Sequence, residues 1–119
     1  MSLIVREAGV WSLLVDTGRL RSRSLGVPVS GAADRTALAL GNALVGNLPS
    51  ALALEIALAG PTLEAVQPAA CVVFGASFQI AANGFPIAAG TTFTLEAGQV
   101  LKIGGTPTNV RAYLCVAGG

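Results

Sequence analysis

Charged side chains that can bind an anion are concentrated between residues 16 and 35. An arginine guanidinium presents fork-shaped N–H donors that match a carboxylate or a phosphate. A loop of this length in a small domain is usually functional or docks onto another surface. The segment therefore predicts an anion-binding or docking loop, and the alternative is a solvated loop whose arginines keep a weakly charged protein soluble. It holds six charged residues: Asp16, Arg19, Arg21, Arg23, Asp34 and Arg35.

A second group of candidates lies in expected strands. Arg111 and Tyr113 are two residues apart, so they share one face of a strand. There they either form a polar pair at the edge of a cleft, or they lie where the strand ends near water. Glu55 is the carboxylate on the small-residue face of the alternating run of residues 51–58. That position suits a solvent-facing strand charge, and a role in a site is the other interpretation.

Gly104, Gly105 and Thr106 have the composition of a phosphate-binding loop. A P-loop continues into Lys-Ser or Lys-Thr and then into a helix, and the sequence after Thr106 contains neither. An ordinary turn is therefore expected at this position.

The composition excludes several classes of function. The chain has 119 residues and no histidine, so Ser-His-Asp and Cys-His nucleophile systems, histidine-ligated zinc and histidine general bases cannot be built from it alone. Its 53% hydrophobic and 11% charged residues, with a formal net charge of +1, exclude intrinsic disorder. Its 7 basic residues are too few for the clustered basic surface that nucleic-acid binding requires.

Gly, Pro and Asn residues separate runs of strand length, which is typical of an all-β sandwich or barrel. One segment differs, because Asp34 can cap a helix that ends at Gly46–Asn47. Gly41 in this helix predicts close packing against a neighbouring element. The stripe expected to be buried is Ala37, Leu40, Gly41, Leu44 and Val45. Strands are expected at residues 3–6, 11–15, 51–58, 63–66, 71–74, 77–81, 91–95, 100–103 and 110–116.

Two turns set the pairing expected for the later strands. Asn83–Gly84 predicts a type I′ hairpin, because both central positions of that turn need a positive φ. Residues 96–99 predict another turn, which places residues 100–103 antiparallel to residues 91–95. No internal repeat or linker divides the sequence.

The cellular location is inferred from the cysteines and the uncharged stretches. Cys71 and Cys115 lie in apolar runs, where buried free thiols are expected. Residues 36–54 and 65–95 carry no charge, but their Asn, Gln and Pro residues do not suit a membrane span. The N-terminus has no basic region followed by an apolar run and is not a signal peptide. A cytoplasmic protein with no membrane partner is therefore expected.

The small number of charges leaves two interpretations of the surface. Soluble surfaces are commonly about a quarter to a third charged residues, and this chain has 7 basic and 6 acidic residues in total. Either the exterior consists of Ala, Gly, Thr and Ser, or part of it is an interface to another chain or to a missing part of the same protein. The second interpretation is favoured.

Short motifs follow one another in a fixed order along essentially the whole chain. They are Asp16-Thr17-Gly18-Arg19, Gly26-Val27-Pro28-Val29-Ser30-Gly31-Ala32, Leu44-Val45-Gly46-Asn47, Leu54-Glu55, Gly60-Pro61-Thr62-Leu63, Ala97-Gly98-Gln99-Val100-Leu101 and the run from Arg111 to Gly119. This series resembles the biotin-dependent carboxyltransferase-like proteins. That family includes proteins like the second subunit of allophanate hydrolase, urea amidolyase-related proteins, the KipA sporulation regulators and the C subunit of 5-oxoprolinase.

The resemblance implies a mainly β fold, a cyclophilin-like β-barrel with one α-helix over about residues 34–46. Residues 1–119 would form a single domain, the N-terminal half of a protein like the C subunit of 5-oxoprolinase, with the C-terminal half absent. The sparse charge agrees with this, because a half separated from its partner exposes an apolar face.

The resemblance also implies a function within a larger assembly. In this family, the C subunit of 5-oxoprolinase works with the A and B subunits in the ATP-dependent opening of 5-oxoproline to glutamate, and the related urea carboxylase domain moves a carboxyl group from carboxybiotin to urea. The chain lacks a biotin-carrier lysine motif and an ATP-binding motif. It is therefore expected to bind no cofactor itself, with ATP, or ATP and biotin, entering at the level of the full complex.

The implied partners are proteins like the A and B subunits of 5-oxoprolinase or the missing C-terminal half, and a homo-oligomer is a further option. Activity of the chain alone is not expected. The regulator branch of the family implies the alternative, a non-catalytic interaction module that binds another protein of the assembly.

Matches to the family's motifs place Arg19, Ser30, Asp34 and Arg111 near the cleft, with Tyr113 on the same strand as Arg111. By this resemblance, Arg19 or Arg111 would hold a carboxylate or a developing anion. The chain departs from the family pattern directly after Arg19, where a glycine and an aromatic residue are common, and at Gly41, where alanine is usual. At the first of these places it has Leu20-Arg21-Ser22-Arg23.

Overall fold

Strands dominate the part of the chain that the computed structural model describes, which is residues 3–7, 9, 11–16, 30–31, 34–105 and 111–118. For residues 11–14, 16, 30 and 31 this description covers the backbone. The described part contains one α-helix, α1 (Arg35–Leu44), so the predicted mainly β architecture with one helix is confirmed. The strands are β1 (Leu3–Glu7), β2 (Trp11–Asp16), β3 (Ser30–Gly31), β4 (Ala53–Ala57), β5 (Thr62–Ala65), β6 (Ala69–Gly75), β7 (Ile80–Ala82), β8 (Phe85–Ile87), β9 (Phe93–Leu95), β10 (Val100–Ile103) and β11 (Arg111–Val116).

These strands form two sheets. Sheet A has the order β1-β5-β10-β7-β8, and sheet B has the order β3-β2-β4-β11-β6-β9. Neighbouring strands are antiparallel, apart from the short parallel pair of β2 and β3. Within the described residues the two sheets have separate edges, and no closed barrel is present.

The hairpin predicted at Asn83–Gly84 is confirmed. Asn83 has a φ of 50° and Gly84 a φ of 86°, as a type I′ turn requires. The turn joins β7 to β8, which pair antiparallel with Ala82 opposite Phe85. β8 is thereby the edge strand of sheet A farthest from β1.

The strand pairing predicted around residues 96–99 is wrong, although the turn itself is present. The amide of Gln99 donates to the carbonyl of Glu96 at 3.0 Å. β9 pairs with β6 in sheet B, whereas β10 pairs with β5 and β7 in sheet A. The physical reason is that Gly98 and Gln99 exchange backbone hydrogen bonds with Ala65 at the end of β5. The turn therefore carries the chain from one sheet to the other.

Helix α1 begins as predicted, and the predicted buried stripe is confirmed at Ala37 and Gly41 but not at Leu40 and Leu44. The Oδ1 atom of Asp34 accepts a 3.0 Å hydrogen bond from the amide of Ala37, which satisfies one of the free N–H groups of the first turn. The buried residues are Ala37, Leu38, Gly41 and Asn42, whereas Leu40 and Leu44 of the predicted stripe are exposed.

Asn42 explains the shift of the buried stripe. Its Nδ2 atom donates to the carbonyls of Pro49 and Ala51, so the polar side chain is buried without losing its hydrogen bonds. Sequence periodicity assigns such a residue to the solvent side.

No helix in the described residues has the length and apolar character needed to span a membrane.

The close packing predicted at Gly41 is confirmed. A Cβ atom at this position would lie 2.8 Å from Sγ of Cys115, which is tighter than side-chain carbon atoms tolerate.

Cys71 and Cys115 are buried free thiols, also as predicted. Burial raises the pKa of Cys71 to about 11 and that of Cys115 to about 12, so both thiols are protonated at neutral pH.

Two apolar cores lie on opposite faces of sheet B. The larger core, which includes Ile56, Leu101 and Leu114, fills the space between the two sheets. The smaller core lies beneath α1 and includes Leu38, Val72 and Tyr113. Strand β11 contributes to both cores because its side chains alternate between the two faces.

Candidate functional site

A buried carboxylate lies at the centre of sheet B. Glu55 is in the middle of β4, where it pairs with Leu13 of β2 on one side and with Tyr113 of β11 on the other. The residue is 3% exposed, so its interpretation as a solvent-facing strand charge is wrong. The small-residue face of β4 lies towards the smaller core, which includes Ala53 and Tyr113. A carboxylate at such a position needs hydrogen-bond donors.

Tyr113 supplies one of these donors. Its hydroxyl donates to Oε2 of Glu55 at 2.8 Å and accepts from the backbone amide of Asp34, also at 2.8 Å. Because the amide of Asp34 can only donate, the phenolic proton must point towards Glu55. Burial raises the pKa of Tyr113 to about 12; the Asp34 amide opposes this shift, and Glu55 adds to it. The tyrosine is therefore a neutral donor at physiological pH.

Arg111 supplies the second donor and the counter-charge. Its Nη1 atom lies 3.0 Å from Oε1 of Glu55. Both carboxylate oxygens of Glu55 thus accept hydrogen bonds. The Arg111 side chain is 38% exposed, so part of it reaches solvent. Arg111 and Tyr113 share a strand face as their spacing indicates, and both contact Glu55.

The site lies beside the N-terminal end of α1. Asp34 caps this end with its carboxylate and binds Tyr113 through its backbone amide. Ser30 lies in β3, where its backbone pairs with Val15 of β2. Arg19 and the rest of the arginine-rich segment at residues 17–29 lie outside the described residues. The structure therefore brings together Asp34, Arg111 and Tyr113 of the candidate residues, and their roles remain predictions.

Glu55 is the residue that connects the site. Its position in the sequence favoured a solvent-facing strand charge over a role in a site. Strand periodicity places it on the small-residue face, but it does not indicate what covers that face. The available signal was the absence of other charges from residues 36–54 and 56–63, because an isolated carboxylate in an apolar strand suggests a buried and paired one.

Two further candidates for binding a ligand are a cluster of metal-ligating side chains and the glycine pair Gly104–Gly105. Within the described part, no cluster of three or more Cys, Asp or Glu side chains could hold a metal ion. Gly104 accepts a hydrogen bond from the amide of Gly60, and Gly105 bridges to Ala59. Gly104 and Gly105 thus pair with the backbone of Ala59 and Gly60 directly after β10, whereas Thr106 lies outside the described residues.

The geometry favours anion recognition by a guanidinium held in a fixed position. Glu55 is anchored by Tyr113, Tyr113 is anchored by the Asp34 amide, and Arg111 is oriented by Glu55. A guanidinium whose orientation is fixed in advance loses less conformational entropy when it binds a planar anion. Glu55 and Tyr113 are buried, so they act here as positioning groups for Arg111.

Comparison with known proteins gives the family of this chain. Residues 25–119 match the family described as carboxyltransferase domain, subdomain A and B. The C subunit of a 5-oxoprolinase from Haemophilus influenzae is 36% identical over 104 residues, which cover 87% of this chain and 34% of that protein. A putative urea carboxylase from Emericella nidulans is 36% identical over 116 residues, which cover 97% of this chain and 9% of that protein.

A solved structure has the same fold. The urea amidolyase of K. lactis superimposes with a TM-score of 0.88 and 32% identity, covering 99% of this chain and 7% of that chain. The present chain thus spans about a third of the length of the 5-oxoprolinase relative and less than a tenth of the length of the putative urea carboxylase. On the match of residues 25–119, the chain belongs to the carboxyltransferase domain family, subdomain A and B.

Proposed function

We propose that this chain corresponds to the N-terminal part of a protein like the C subunit of 5-oxoprolinase and that it contributes a substrate-carboxylate contact through Arg111. The observation that carries the proposal is the partly exposed side chain of Arg111, whose Nη1 atom lies 3.0 Å from the buried carboxylate of Glu55. The family relationship supplies the substrate class. A 5-oxoproline molecule bears a carboxylate, which matches the fork of an arginine side chain.

The proposed activity of the whole assembly is the ATP-dependent opening of 5-oxoproline to glutamate, or a urea amidolyase-related hydrolase or carboxyltransferase reaction. No step of this proposal runs through ATP or biotin. The contribution of this chain is to bind and orient: Arg111 donates hydrogen bonds to the substrate carboxylate, while Glu55, held by Tyr113, fixes the guanidinium. Asp34 fixes the start of α1 beside it.

Several further parts of the proposal rest on the family relationship. The relatives include a protein named as one subunit of an enzyme, which implies partner proteins for that relative. We extend this to partners like the A and B subunits of 5-oxoprolinase, or to a complementary C-terminal half, in the cytoplasm. Ser30 and Arg19 are proposed to border the same site. The two sheets are proposed to correspond to an open form of a cyclophilin-like barrel.

Ligand binding tests the substrate contact directly. Calorimetric titration with 5-oxoproline is expected to give millimolar binding that falls at least tenfold in Arg111→Gln, about 1.4 kcal/mol or more. The lactam 2-pyrrolidinone lacks the carboxylate and is expected not to bind. Arg6→Gln, which changes an exposed arginine in β1, serves as the matched control and should bind like the wild type. Equal binding of 5-oxoproline by the wild type and Arg111→Gln, or equal binding of both ligands, would contradict the proposal.

Reconstitution separates the catalytic contribution from the interaction-module alternative. If Arg111→Gln assembles with the A-like and B-like partners but turnover is lost, the substrate contact is supported. If assembly itself is lost, the chain acts as an interaction module and Arg111 belongs to the interface with a partner protein. Unchanged assembly and unchanged turnover would show that the site has been placed wrongly.

A further inference from the structure

Leu58 has a backbone conformation that leucine rarely adopts. The residue follows β4 directly and has a φ of 66°, in the left-handed region. The amide of Ala59 donates to the carbonyl of Ala57 at 2.8 Å, so Leu58 is the central residue of a three-residue γ-turn. With a positive φ at its centre, this is the rare and strained form of the turn. Glycine would adopt the same conformation without steric cost.

Burial of the side chain does not account for a leucine at this position. Leu58 is 44% exposed, so it lacks much of the hydrophobic stabilisation that a buried leucine contributes. Among the described residues, neither apolar core includes it. Strained residues persist where the surrounding structure enforces them, and they cluster at ligand-binding and catalytic sites. The conformation of Leu58 therefore indicates a role beyond the packing of the fold.

Two other segments of the chain hold this turn in place. Ala59 forms an antiparallel backbone bridge with Gly105. Gly9 approaches so closely that a Cβ atom on it would lie 2.7 Å from the carbonyl oxygen of Ala59. These contacts restrict the backbone of the turn, so the position of the Leu58 side chain is set before a ligand binds, which lowers the entropic cost of a contact.

Leu58 lies next to the candidate site. Its neighbour Ala57 is the register partner of Arg111. Opposite Cα atoms of an antiparallel pair are about 4.5–5.5 Å apart and consecutive Cα atoms about 3.8 Å apart, so the Cα atoms of Leu58 and Arg111 are at most about 9 Å apart. One small ligand can contact both side chains across this distance. Apolar side chains combined with a few placed polar groups are the usual composition of a small-molecule site.

We propose that Leu58 is a specificity-determining residue whose side chain packs against the apolar part of the ligand that Arg111 binds. This inference rests on the substrate contact proposed for Arg111. In 5-oxoproline the apolar part consists of the two ring methylene groups. Arg111 binds the carboxylate, and Leu58 covers the ring. The site therefore prefers a carboxylate that carries an aliphatic ring over a short polar acid.

A matched pair of ligands tests the ring contact. N-formylglycine keeps the carboxylate and the amide of 5-oxoproline but lacks the two ring methylene groups. NMR titration measures both dissociation constants in the millimolar range. Leu58→Ala is expected to weaken 5-oxoproline binding about three- to tenfold, since each buried methylene group contributes about a factor of four. It should leave the weaker binding of N-formylglycine unchanged.

The matched control is Leu48→Ala. Leu48 is 75% exposed and follows Asn47, whose side chain contacts Val116 at the other end of β11. This variant also shortens an exposed leucine, but away from Arg111. It should bind both ligands like the wild type.

Leu58→Gly separates the side-chain contact from the backbone. It removes the side chain and the strain together, so its urea midpoint should equal or exceed that of the wild type. Its affinity for 5-oxoproline should nevertheless fall as in Leu58→Ala. Weaker binding in a variant that is no less stable is a result that a merely structural role would not give.

The variants also distinguish this inference from the proposed function. If Arg111→Gln loses 5-oxoproline binding while both Leu58 variants bind it like the wild type, the role of Leu58 is overturned and the substrate contact of Arg111 stands. If Leu58→Ala weakens the binding of both ligands equally, the ring contact is overturned. Binding of 5-oxoproline that survives Arg111→Gln would overturn the proposed function, and this inference with it.

Discussion

The hydroxyl of Tyr113 donates a 2.8 Å hydrogen bond to Oε2 of Glu55, directly across the register of β4 and β11. Through this bond the position of the Glu55 carboxylate depends on Tyr113 of β11. Tyr113 in turn is held by the backbone amide of Asp34, the residue that precedes α1. The same carboxylate orients Arg111. The following predictions concern this network and the packing around it.

Replacing Tyr113 with Phe removes the hydroxyl and keeps the ring. Glu55 then loses one donor and the Asp34 amide loses its acceptor, so the free energy of unfolding should fall by about 1–3 kcal/mol. Urea denaturation measures this change. The matched control is Phe85→Leu, which alters an exposed ring and should cost less than about 0.5 kcal/mol. A loss in Tyr113→Phe no larger than that of the control would contradict the role assigned to the hydroxyl.

The chain has a single tyrosine, so the absorbance of tyrosinate follows the titration of Tyr113 alone. The midpoint should lie near pH 12 in the folded protein, because burial raises the pKa of Tyr113 to about 12. Glu55→Gln should lower the midpoint, since Glu55 contributes to the shift, but burial should keep it above the ordinary value. Glu64→Gln on sheet A is the control and should leave the midpoint unchanged. A wild-type midpoint near 10 in protein that circular dichroism shows to be folded would count against the buried hydrogen bond.

Stability should decrease as the solution becomes alkaline. The pKa values of Cys71, Cys115 and Tyr113 are raised in the folded state, so the unfolded chain releases these protons at lower pH. Between about pH 9 and pH 12 the unfolded state therefore binds fewer protons, and the free energy of unfolding falls. Urea midpoints measured from pH 7 to pH 11 test this trend. Cys115→Ala should reduce the slope, and a stability that stays constant above pH 9 would be inconsistent with buried, protonated thiols.

Replacing Gly41 with Ala should destabilise the protein even though alanine favours helices. The new Cβ would lie 2.8 Å from Sγ of Cys115 and 3.2 Å from Cβ of Phe74, and overpacking of this kind costs about 1–3 kcal/mol. The same substitution in a Cys115→Ala background should cost less, because the sulfur is gone. Gly98→Ala tests the alternative that backbone freedom decides the result, since Gly98 has a positive φ and no neighbour within 4 Å. Equal costs of Gly41→Ala in both backgrounds would exclude the packing explanation.

Local patterns predicted the elements of the fold well and their assembly less well. The Asp34 cap and the Asn83–Gly84 turn depend on neighbouring residues, and both are confirmed. The pairing of β10 depends on Ala65, which is more than thirty residues away in the sequence, and no local pattern contains that contact. The turn at residues 96–99 is therefore correct as a turn and wrong as a hairpin.

The candidate site has the same limitation. The two-residue spacing of Arg111 and Tyr113 fixes their shared face, whereas the pairing of the buried Glu55 depends on these two side chains of β11, more than fifty residues away in the sequence. The buried stripe of α1 was misplaced because apolar periodicity cannot anticipate a satisfied polar residue such as Asn42. In both cases the deciding fact is a tertiary hydrogen bond to a polar side chain.

The position of sheet B between two cores has a consequence for local opening. Helix α1 packs on the outer face of β6 and β11, so it can detach while the packing between the sheets persists. Such an opening would admit water to Tyr113 and Glu55 without global unfolding. Amide hydrogens of α1 would then exchange with deuterium earlier than those of β10, and the geometry around Arg111 would persist only as long as the helix remains docked.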